Sequence, residues 1–387
     1  MWFFRSPEIV FGEDALSWLG ELKGQRAFIV TDENIIKLGL LDRVTAQLER
    51  AGLAYQVFAG VEPDPSLQTV RRGAEMIREY CPDWIIGLGG GSCMDAAKAM
   101  WVLYECPGIE PQGISPLEEY GLRKKARLVA IPTTSGTGAE VTWGIVLTDT
   151  ENQVKLSLGS PENTPDLAIV DPALALGMPP RLTADTGMDA LTHAIEGYIS
   201  NWRNDFADGL CLKAIELIFT YLPRAYADGT DAEARERMHN AASIAGLGFI
   251  NSMASMAHAL GHSLGAVFHV PHGRAVGLFL PYTMEYIAHQ HPDRYAPIAR
   301  FLGLTGSDPA AQAQALVEAV RDLSRRLDFP TALKDLGLAE EDFDSRLDKL
   351  VENAQGDTTL LTSPRMPDGE DVRRLYRYAY AGRPIDF

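Results

Sequence analysis

The stretch that decides the fold is DWIIGLGGGSCMDAAKAMWVLY, residues 83–104. Its first half is a short apolar run that ends in three consecutive glycines, which is typical of a buried strand followed by a tight turn. Its second half is rich in alanine and other good helix formers, which predicts a helix directly after the turn. A strand, a turn and a helix in this order form the repeating unit of parallel α/β sheets.

The same alternation continues on both sides of this stretch, over residues 1–178. Because strands that alternate with helices pair through right-handed βαβ crossovers, we expect a mostly parallel sheet with ligands at the carboxyl ends of its strands. The predicted strands are AFIVTD (27–32), LAYQVFAGV (53–61), DWIIGLG (83–89) and ARLVAIP (126–132), and the predicted helices cover 33–51, 66–80 and 94–104.

The second half of the chain carries helical patterns only. DPALALGMPPRLTADTG (171–187) is rich in proline and glycine and predicts a domain junction. We therefore predict an α/β dinucleotide-binding domain over residues 1–178, an all-α metal-binding domain over 179–387, and an active site in the cleft between them. The predicted helices of the second domain cover about 185–200, 205–222, 231–266, 273–288, 292–303, 308–327, 339–353 and 370–381.

Composition excludes several classes of partner. The formal net charge of -17 argues against nucleic acid and against an anionic membrane surface, because both select a basic protein surface. No apolar run approaches the roughly 20 residues that span a bilayer, and the first residues lack the pattern of a secretory signal. The four cysteines lack CxxC spacing and do not suggest a disulfide framework, so we expect a reduced, cytoplasmic protein.

A carboxylate and several imidazoles collect in two short segments of the helical half. Asp189 and His193 are four residues apart, as are His258 and His262, and His272 follows soon after. In a helix, residues four apart share one face, so each pair can aim at one point. Such a set suits Fe(II) or Zn(II) better than Mg(II) or Ca(II). Spacing leaves open which four of these five residues would be ligands.

The remaining histidines and three aromatic residues have simpler interpretations. His269 lies within the second segment, between His262 and His272, and receives no role. We expect the other histidines at the surface and the aromatic residues in the core, with an apolar pocket as the alternative for the latter. These residues are His239, His289 and His291, and Trp143, Phe249 and Phe268.

Two loops rich in glycine and hydroxyl groups follow neighbouring predicted strands. Glycines let a backbone approach a ligand closely, and the amides at the start of the following helix attract an anion. Together the loops predict a pyrophosphate cradle, with two ligand-free turns as the alternative. Neither GxGxxG nor GxxxxGK[ST] occurs. The loop residues are Gly89, Gly90, Gly91 and Ser92, then Thr133, Thr134, Ser135, Gly136, Thr137 and Gly138.

Asp32 ends the first predicted strand. A carboxylate at this place accepts hydrogen bonds from an adenosine ribose and repels a 2′-phosphate, which favours NAD over NADP. The alternative is that Asp32 caps the helix that follows, because Asp is a preferred N-cap residue.

These segments resemble the signatures of the iron-containing (group III) alcohol dehydrogenases. The resemblance is carried by GGGSCMDAAKA (89–99), IPTTSGTGAEVT (131–142), DTGMDALTHAIEGYIS (185–200) and HALGHSLGAVFHVPHGRA (258–275), and it extends over nearly the whole chain. It implies that the metal ligands are Asp189, His193, His258 and His272, with His262 beside the ion as a candidate proton relay. It places the cofactor at Asp32, Asp64, Gly90, Gly91, Ser92, Asp95, Thr133, Thr134, Thr137 and Lys155.

The resemblance implies an NAD-linked oxidoreductase that interconverts small alcohols and aldehydes with the help of Fe(II), or alternatively Zn(II). A homo-oligomer is also expected, because such assemblies are common in the family. One departure is Asp64, where members often carry Asn, and a carboxylate cannot donate a hydrogen bond. Cys93 has no assigned role, although an exposed thiol there would make the site sensitive to oxidation.

Three alternatives stay open at this point. The first is a Zn-dependent polyol dehydrogenase of the glycerol type. The second is a lyase similar to dehydroquinate synthase, against which stands the single basic residue, Arg274, in the segment 258–274. The third is a non-catalytic nucleotide-binding sensor.

Overall fold

This computed structural model describes residues 3–387, and within them every strand precedes residue 171. The chain divides into two compact units, the first comprising the residues up to Met178 together with Arg235–Leu247, and the second comprising Pro179–Ala234 and Gly248–Phe387. The strands are β1 Glu8–Phe11, β2 Arg26–Val30, β3 Ala54–Phe58, β4 Trp84–Gly89, β5 Arg127–Pro132, β6 Gly144–Asp149, β7 Val154–Gly159 and β8 Leu167–Val170. The helices are α1 Glu33–Lys37, α2 Leu40–Arg50, α3 Leu67–Tyr80, α4 Gly91–Glu105, α5 Pro180–Ile199, α6 Asp205–Ala227, α7 Ala232–Ile250, α8 Met256–Phe268, α9 His272–Ala288, α10 Pro292–Phe301, α11 Pro309–Arg326, α12 Glu340–Gly356 and α13 Gly369–Ala381.

The first unit is built on a six-stranded sheet in the order β1-β8-β5-β4-β2-β3, in which every pairing is parallel. This confirms the predicted mostly parallel sheet. Strands β6 and β7 form a separate antiparallel hairpin. The chain runs from β2 outward to β3 and returns to place β4 on the other side of β2. Ligands of open α/β sheets bind beyond the carboxyl ends of the strands where the order reverses in this way.

Both faces of the sheet are buried, because alternate residues of each strand belong to different apolar cores. In β2, Phe28 and Val30 pack into one core, whereas Ala27 and Ile29 pack into the other. Side chains of a strand point to opposite faces in turn, so a sheet covered on both sides needs apolar residues at every position. This is why the strands could be read as continuous apolar runs.

The second unit is all-helical among the residues described, as expected, but one predicted helix is wrong. The run 231–266 is two helices, α7 and α8, because the backbone leaves the helical path at Asn251 and Met253 has a φ of 72°. A buried carboxylate, Glu196, accepts hydrogen bonds from the N–H groups of Ser255 (2.8 Å) and Ala257 (2.5 Å). These bonds satisfy donors that a new helix start leaves open, and so they fix the beginning of α8.

The middle of α7 belongs to the first unit, although it lies in the helical half of the sequence. A side chain on Gly138 would place its Cβ 2.7 Å from the Cα of Gly246, so the loop and the helix can pack this closely only as two glycines. The Arg235 side chain donates to the carbonyl of Met178 at 2.7 Å.

Candidate metal and dinucleotide sites

Four of the five predicted metal-binding residues converge in the second unit. Asp189, His193, His258 and His272 each offer one ligand atom, and these atoms all lie within 4.8 Å of one another. An Asp189 oxygen lies 3.5 Å from Nε2 of His272 and 3.9 Å from Nδ1 of His193. Three of the four residues are at most 4% exposed, so the cluster faces the protein interior.

Three helices supply these side chains. Asp189 and His193 are one turn apart on α5, His258 lies on α8, and His272 is the first residue of α9, directly after Pro271. The start of α9 packs tightly against α5, because a Cβ on Gly273 would lie 2.4 Å from the carbonyl oxygen of Asp185. Arg274 then donates to the Asp185 carboxylate at 2.9 Å. These contacts hold the segment that presents His272.

The carboxylate of Glu196 orients His258. Glu196 is 2% exposed, and Nδ1 of His258 lies 2.6 Å from its Oε2. A carboxylate only accepts hydrogen bonds, so Nδ1 donates and the lone pair of Nε2 faces the cluster. Burial lowers the pKa of His258, but the hydrogen bond and the charge of Glu196 outweigh burial and leave that pKa raised. Partners of this kind fix the orientation of metal-binding imidazoles.

His262 has a similar arrangement but stands outside the group of four. Its Nδ1 lies 2.7 Å from Oδ2 of Asp357, and both side chains are 5% exposed. Its ring lies 5.2 Å, centroid to centroid, from that of His272 and 5.7 Å from that of His258. Burial raises the pKa of Asp357, but the electrostatic attraction of His262 and the hydrogen bonds from His262 and Thr359 outweigh burial, so that pKa is lowered and Asp357 is a carboxylate.

The four residues fit a divalent ion of borderline softness. The set combines one carboxylate oxygen with three imidazole nitrogens, which Fe(II) and Zn(II) both accept. Nε2 of His258 is buried and accepts no hydrogen bond from any described residue. A buried polar atom without a partner costs free energy of folding, and an ion at the centre of the cluster would give Nε2 of His258 its partner.

An aromatic ring covers one side of the cluster. The ring of Phe249 stacks on that of His193, with centroids 4.1 Å apart and planes at 11°. Phe249 was expected in the core, and it is half-buried. The stacked ring restricts the rotation of His193 and adds an apolar wall beside the ligands.

In the first unit, the two predicted loops meet at the carboxyl ends of the adjacent strands β4 and β5. The N–H of Thr133 donates to the carbonyl of Gly89 at 3.0 Å. A Cβ on Gly91 would lie 2.8 Å from Cγ2 of Thr137 and 3.1 Å from its hydroxyl, so no side chain fits there. Gly90, Gly91 and Thr134 remain half-buried, as a ligand-facing surface requires.

Three further predicted cofactor residues form one cluster. Lys155 donates to the carboxylate of Asp64 at 2.6 Å, and the N–H of Asp64 donates to the hydroxyl of Ser92 at 3.3 Å. Asp64 has a φ of 55°, in the left-handed region that Asp tolerates better than most residues. The ion pair explains how a carboxylate is accommodated at this position.

Asp95 is turned toward the protein. Its two oxygens accept from the N–H of Val146 (2.9 Å) and from Lys98 (3.5 Å), which is itself fully buried. Burial raises the pKa of Asp95 and lowers that of Lys98, and the attraction between the two opposes both changes. In this structure Asp95 therefore holds the hairpin that carries Lys155 against α4.

Asp32 caps α1, the alternative that the sequence left open. One carboxylate oxygen accepts from the N–H groups of Asn34 (2.7 Å) and Ile35 (3.2 Å), and the other accepts from the thiol of Cys93 at 3.3 Å. Cys93 is 1% exposed, and burial together with Asp32 raises the pKa of its thiol well above the usual range. The condition for oxidation sensitivity, an exposed thiol, is not met.

The prediction that His239 lies at the surface is wrong, whereas His289 is exposed and His291 is partly exposed. His239 is 1% exposed, and its Nδ1 lies 3.0 Å from the hydroxyl of Ser135 in the second loop. Burial lowers its pKa to about 4. The nearby Glu140 is also buried and accepts from the hydroxyl of Ser243 at 2.6 Å. The middle of α7 thus supports the loop with two buried polar contacts.

Comparison with known proteins identifies the family. Residues 6–172 match the family model "Iron-containing alcohol dehydrogenase", and residues 183–380 match "Fe-containing alcohol dehydrogenase family, C-terminal". The chain belongs to the iron-containing alcohol dehydrogenase family. It is an oxidoreductase of the alcohol dehydrogenase type, and such enzymes use iron and a nicotinamide dinucleotide.

Similar members differ in the cofactor and substrate that their names state. The chain is 41% identical to an NADPH-dependent butanol dehydrogenase of Clostridium saccharobutylicum, over 100% of both chains. It is 38% identical to an aldehyde-alcohol dehydrogenase of Streptococcus pneumoniae, but it spans only 46% of that longer protein. Among solved structures, a 1,3-propanediol oxidoreductase superposes with a TM-score of 0.91 at 36% identity, covering 98% of this chain and 100% of that one.

Two carboxylates of this alcohol dehydrogenase, Glu196 and Asp357, were not predicted as functional residues from the sequence. Glu196 was visible in principle, because it lies seven residues after Asp189 on the same face of α5. Asp357 had no such signal, because it is 95 residues from His262. Within residues 3–387, no helix combines the length and the apolar character that a membrane span requires.

Proposed function

We propose that the chain uses NAD and a single divalent ion, held by Asp189, His193, His258 and His272, to interconvert small alcohols and aldehydes. The observation that carries this proposal is the convergence of the four ligand atoms within 4.8 Å of one another. The proposed ion is Fe(II), with Zn(II) as the alternative, because the family is iron-containing and the donor set suits both. When bound, such an ion acts as a Lewis acid toward an alcohol or aldehyde oxygen.

The protein's contribution to the proposed reaction is orientation and proton handling. Glu196 holds His258 so that its Nε2 points into the cluster, and Phe249 covers the ring of His193. His262 presents a buried Nε2 beside the ligands, where it would accept the proton that the alcohol loses. The nicotinamide supplies the hydride chemistry, and the chain must position it.

The proposed dinucleotide site lies at the carboxyl ends of β2, β4 and β5. The glycine turn and the threonine loop would cradle the pyrophosphate, and Asp32 would face the adenosine ribose. The two-sided restraint on Asp32 supports a preference for NAD, because a fixed carboxylate would repel a 2′-phosphate. The 41% identical butanol dehydrogenase is named for NADPH, so the preference needs a direct test. The proposed cofactor residues are Asp32, Asp64, Gly90, Gly91, Ser92, Asp95, Thr133, Thr134, Thr137 and Lys155.

The first unit would accordingly be the dinucleotide-binding domain and the second the metal-binding domain, with boundaries at about 1–178 and 179–387 in sequence terms. A homo-oligomeric state and a cytoplasmic location remain predictions. Diols deserve a place among the candidate substrates, because one similar solved structure is a 1,3-propanediol oxidoreductase.

The proposal is tested with a panel of short alcohols, diols and aldehydes, assayed with NAD(H) and NADP(H) on protein that is stripped of metal or reloaded with Fe(II) or Zn(II). We expect turnover that needs metal, is faster with NAD(H) than with NADP(H), and is highest for small primary alcohols or aldehydes. Equal rates in metal-stripped protein would refute the role of the ion. Greater efficiency with NADP(H) would refute the cofactor preference alone.

A further inference from the structure

Asp357 and His262 form a buried hydrogen-bonded pair, and neither residue belongs to the four proposed metal ligands. Nδ1 of His262 lies 2.7 Å from Oδ2 of Asp357, with both side chains 5% exposed. Asp357 lies outside the group of four ligand residues. It directly follows the last residue of α12, and it comes from a part of the sequence far from every metal-binding residue.

The carboxylate of Asp357 is itself fixed in orientation. Its other oxygen, Oδ1, accepts from the N–H of Thr359 at 2.9 Å and from the hydroxyl of Thr359 at 2.8 Å. Oδ1 therefore faces two donors, and Oδ2 faces His262 alone among the hydrogen-bond donors described. The arrangement leaves the carboxylate with no equivalent alternative orientation.

A fixed carboxylate determines which nitrogen of His262 carries the proton. Because a carboxylate accepts only, Nδ1 of neutral His262 must donate, and Nε2 must carry the lone pair. Nε2 is buried and has no hydrogen-bond partner among the described residues. The ring centroid lies 5.7 Å from that of His258 and 5.2 Å from that of His272, so this acceptor belongs to a ring that neighbours two of the ligand residues.

We propose that Asp357 is a positioning residue, which holds His262 in the Nδ1–H tautomer so that Nε2 accepts a hydrogen bond from a hydroxyl group. The hydroxyl belongs to the alcohol substrate or to the ribose of the cofactor, and both sources share this chemistry. The expected effect on turnover rests on the proposed function. The tautomer of His262 does not, because it depends on the protein alone.

Asp357→Asn is the sharpest variant, because Thr359 dictates how the amide would lie. The two donors of Thr359 require the amide oxygen at the place of Oδ1, which puts the amide NH2 group opposite Nδ1 of His262. His262 would then have to accept at Nδ1 and carry its proton on Nε2, so the acceptor is lost. The control is Asp368→Asn. Asp368 also caps a helix, because it accepts from the N–H of Asp371 at 2.8 Å, but among the described hydrogen bonds it has none to a histidine.

The kinetic test compares wild type, Asp357→Asn, His262→Gln and the double variant, each loaded with the same metal. We expect kcat of Asp357→Asn to fall on the order of 100-fold, the size of a typical acid–base contribution. The metal content should be unchanged. The double variant should be no slower than His262→Gln, because Asp357 acts through His262. Asp368→Asn should retain the wild-type rate.

The source of the hydroxyl is read from binding. A larger dissociation constant for NADH in Asp357→Asn assigns the hydroxyl to the ribose. An unchanged dissociation constant for NADH together with a lower kcat assigns it to the alcohol. Either result supports the proposal. A kcat of Asp357→Asn within about 2-fold of wild type would overturn the proposal. So would a double variant in which Asp357→Asn lowers kcat of His262→Gln by the same factor as it lowers kcat of the wild type.

A spectroscopic test stands even when no alcohol is turned over. Nitrogen-15 NMR of the zinc-loaded full chain, with labelled histidine, distinguishes the two tautomers, and the His262 signal is identified by its absence in His262→Gln. We expect the Nδ1–H tautomer in the wild type. An Nε2–H tautomer in the wild type would overturn the inference. Failure of the proposed function would instead appear as absent turnover in a protein that has the expected tautomer.

Discussion

Replacement of Glu196 by Gln should weaken metal binding without unfolding the protein. Oε1 of Glu196 accepts from the N–H of Ala257 at 2.5 Å, and Oε2 accepts from the N–H of Ser255 at 2.8 Å and from His258 at 2.6 Å. Glutamine has one terminal oxygen, so in either orientation its NH2 group faces a donor. At least one buried hydrogen bond to a charged acceptor is therefore lost.

The magnitude follows from the kind of bond that is lost. A hydrogen bond to a charged group contributes about 1.5–3 kcal/mol, and loss of an outer partner of a metal-binding histidine typically costs about 10–100-fold in affinity. A loss of about 2 kcal/mol corresponds to roughly 30-fold weaker binding. We expect this change in the dissociation constant for Zn(II), which serves as a redox-inert probe of the site.

The assay is competition between metal-stripped protein and a chromophoric chelator for Zn(II), at one fixed pH because ligand protonation competes with the metal. Glu285→Gln is the control. Glu285 is also buried, accepts from the N–H of Ile385 and pairs with Arg321 at 2.8 Å. It lies 13 residues after His272 on α9, about 20 Å along the helix. If Glu196→Gln binds Zn(II) within about 3-fold as tightly as the wild type, Glu196 does not support metal binding by orienting His258.

Three further predictions concern single residues. His272→Ala should abolish metal retention but leave NADH binding largely intact, which metal analysis and fluorescence titration measure on one sample. Asp32→Gly should raise kcat/KM with NADP relative to NAD, since glycine costs a helix cap only a few tenths of a kcal/mol, and an unchanged ratio removes Asp32 from the cofactor site. His239 has a pKa of about 4 in the folded protein against 6.5 as its usual value, so only the unfolded chain takes up this proton between those pH values. The free energy of unfolding should therefore fall by about 3 kcal/mol on acidification from pH 6.5 to 4. In His239→Gln the midpoint of urea unfolding should depend less on pH over that window.

The sheet of the first unit was predictable because its interactions are local or periodic. Alternating strands and helices determine a parallel sheet with few topological options, and the glycine turn after β4 reads directly as a close backbone approach. The i, i+4 spacing of Asp189 and His193 likewise fixes a shared helix face. The identity of the fourth ligand was not determined by spacing, and it came from the family resemblance.

What the sequence did not predict depends on long-range polar contacts. The break between α7 and α8 follows from Glu196, which supplies the acceptor for the first amides of α8 from a different helix. His239 was predicted at the surface, yet it is 1% exposed and its Nδ1 contacts the hydroxyl of Ser135 in the loop. No periodicity reports on such pairs, since each joins residues more than 50 positions apart.

The two histidines of α8 show why local spacing is an incomplete guide to function. His258 and His262 are one turn apart, and each donates Nδ1–H to a buried carboxylate and leaves Nε2 without a hydrogen-bond partner among the described residues. They differ in what surrounds that lone pair, because only His258 belongs to the group within 4.8 Å that includes Asp189. The same local device would thus serve an ion in one case and a hydroxyl in the other. Loss of the Glu196 contact should therefore change metal affinity first, whereas loss of the contact to His262 should change turnover at full metal occupancy.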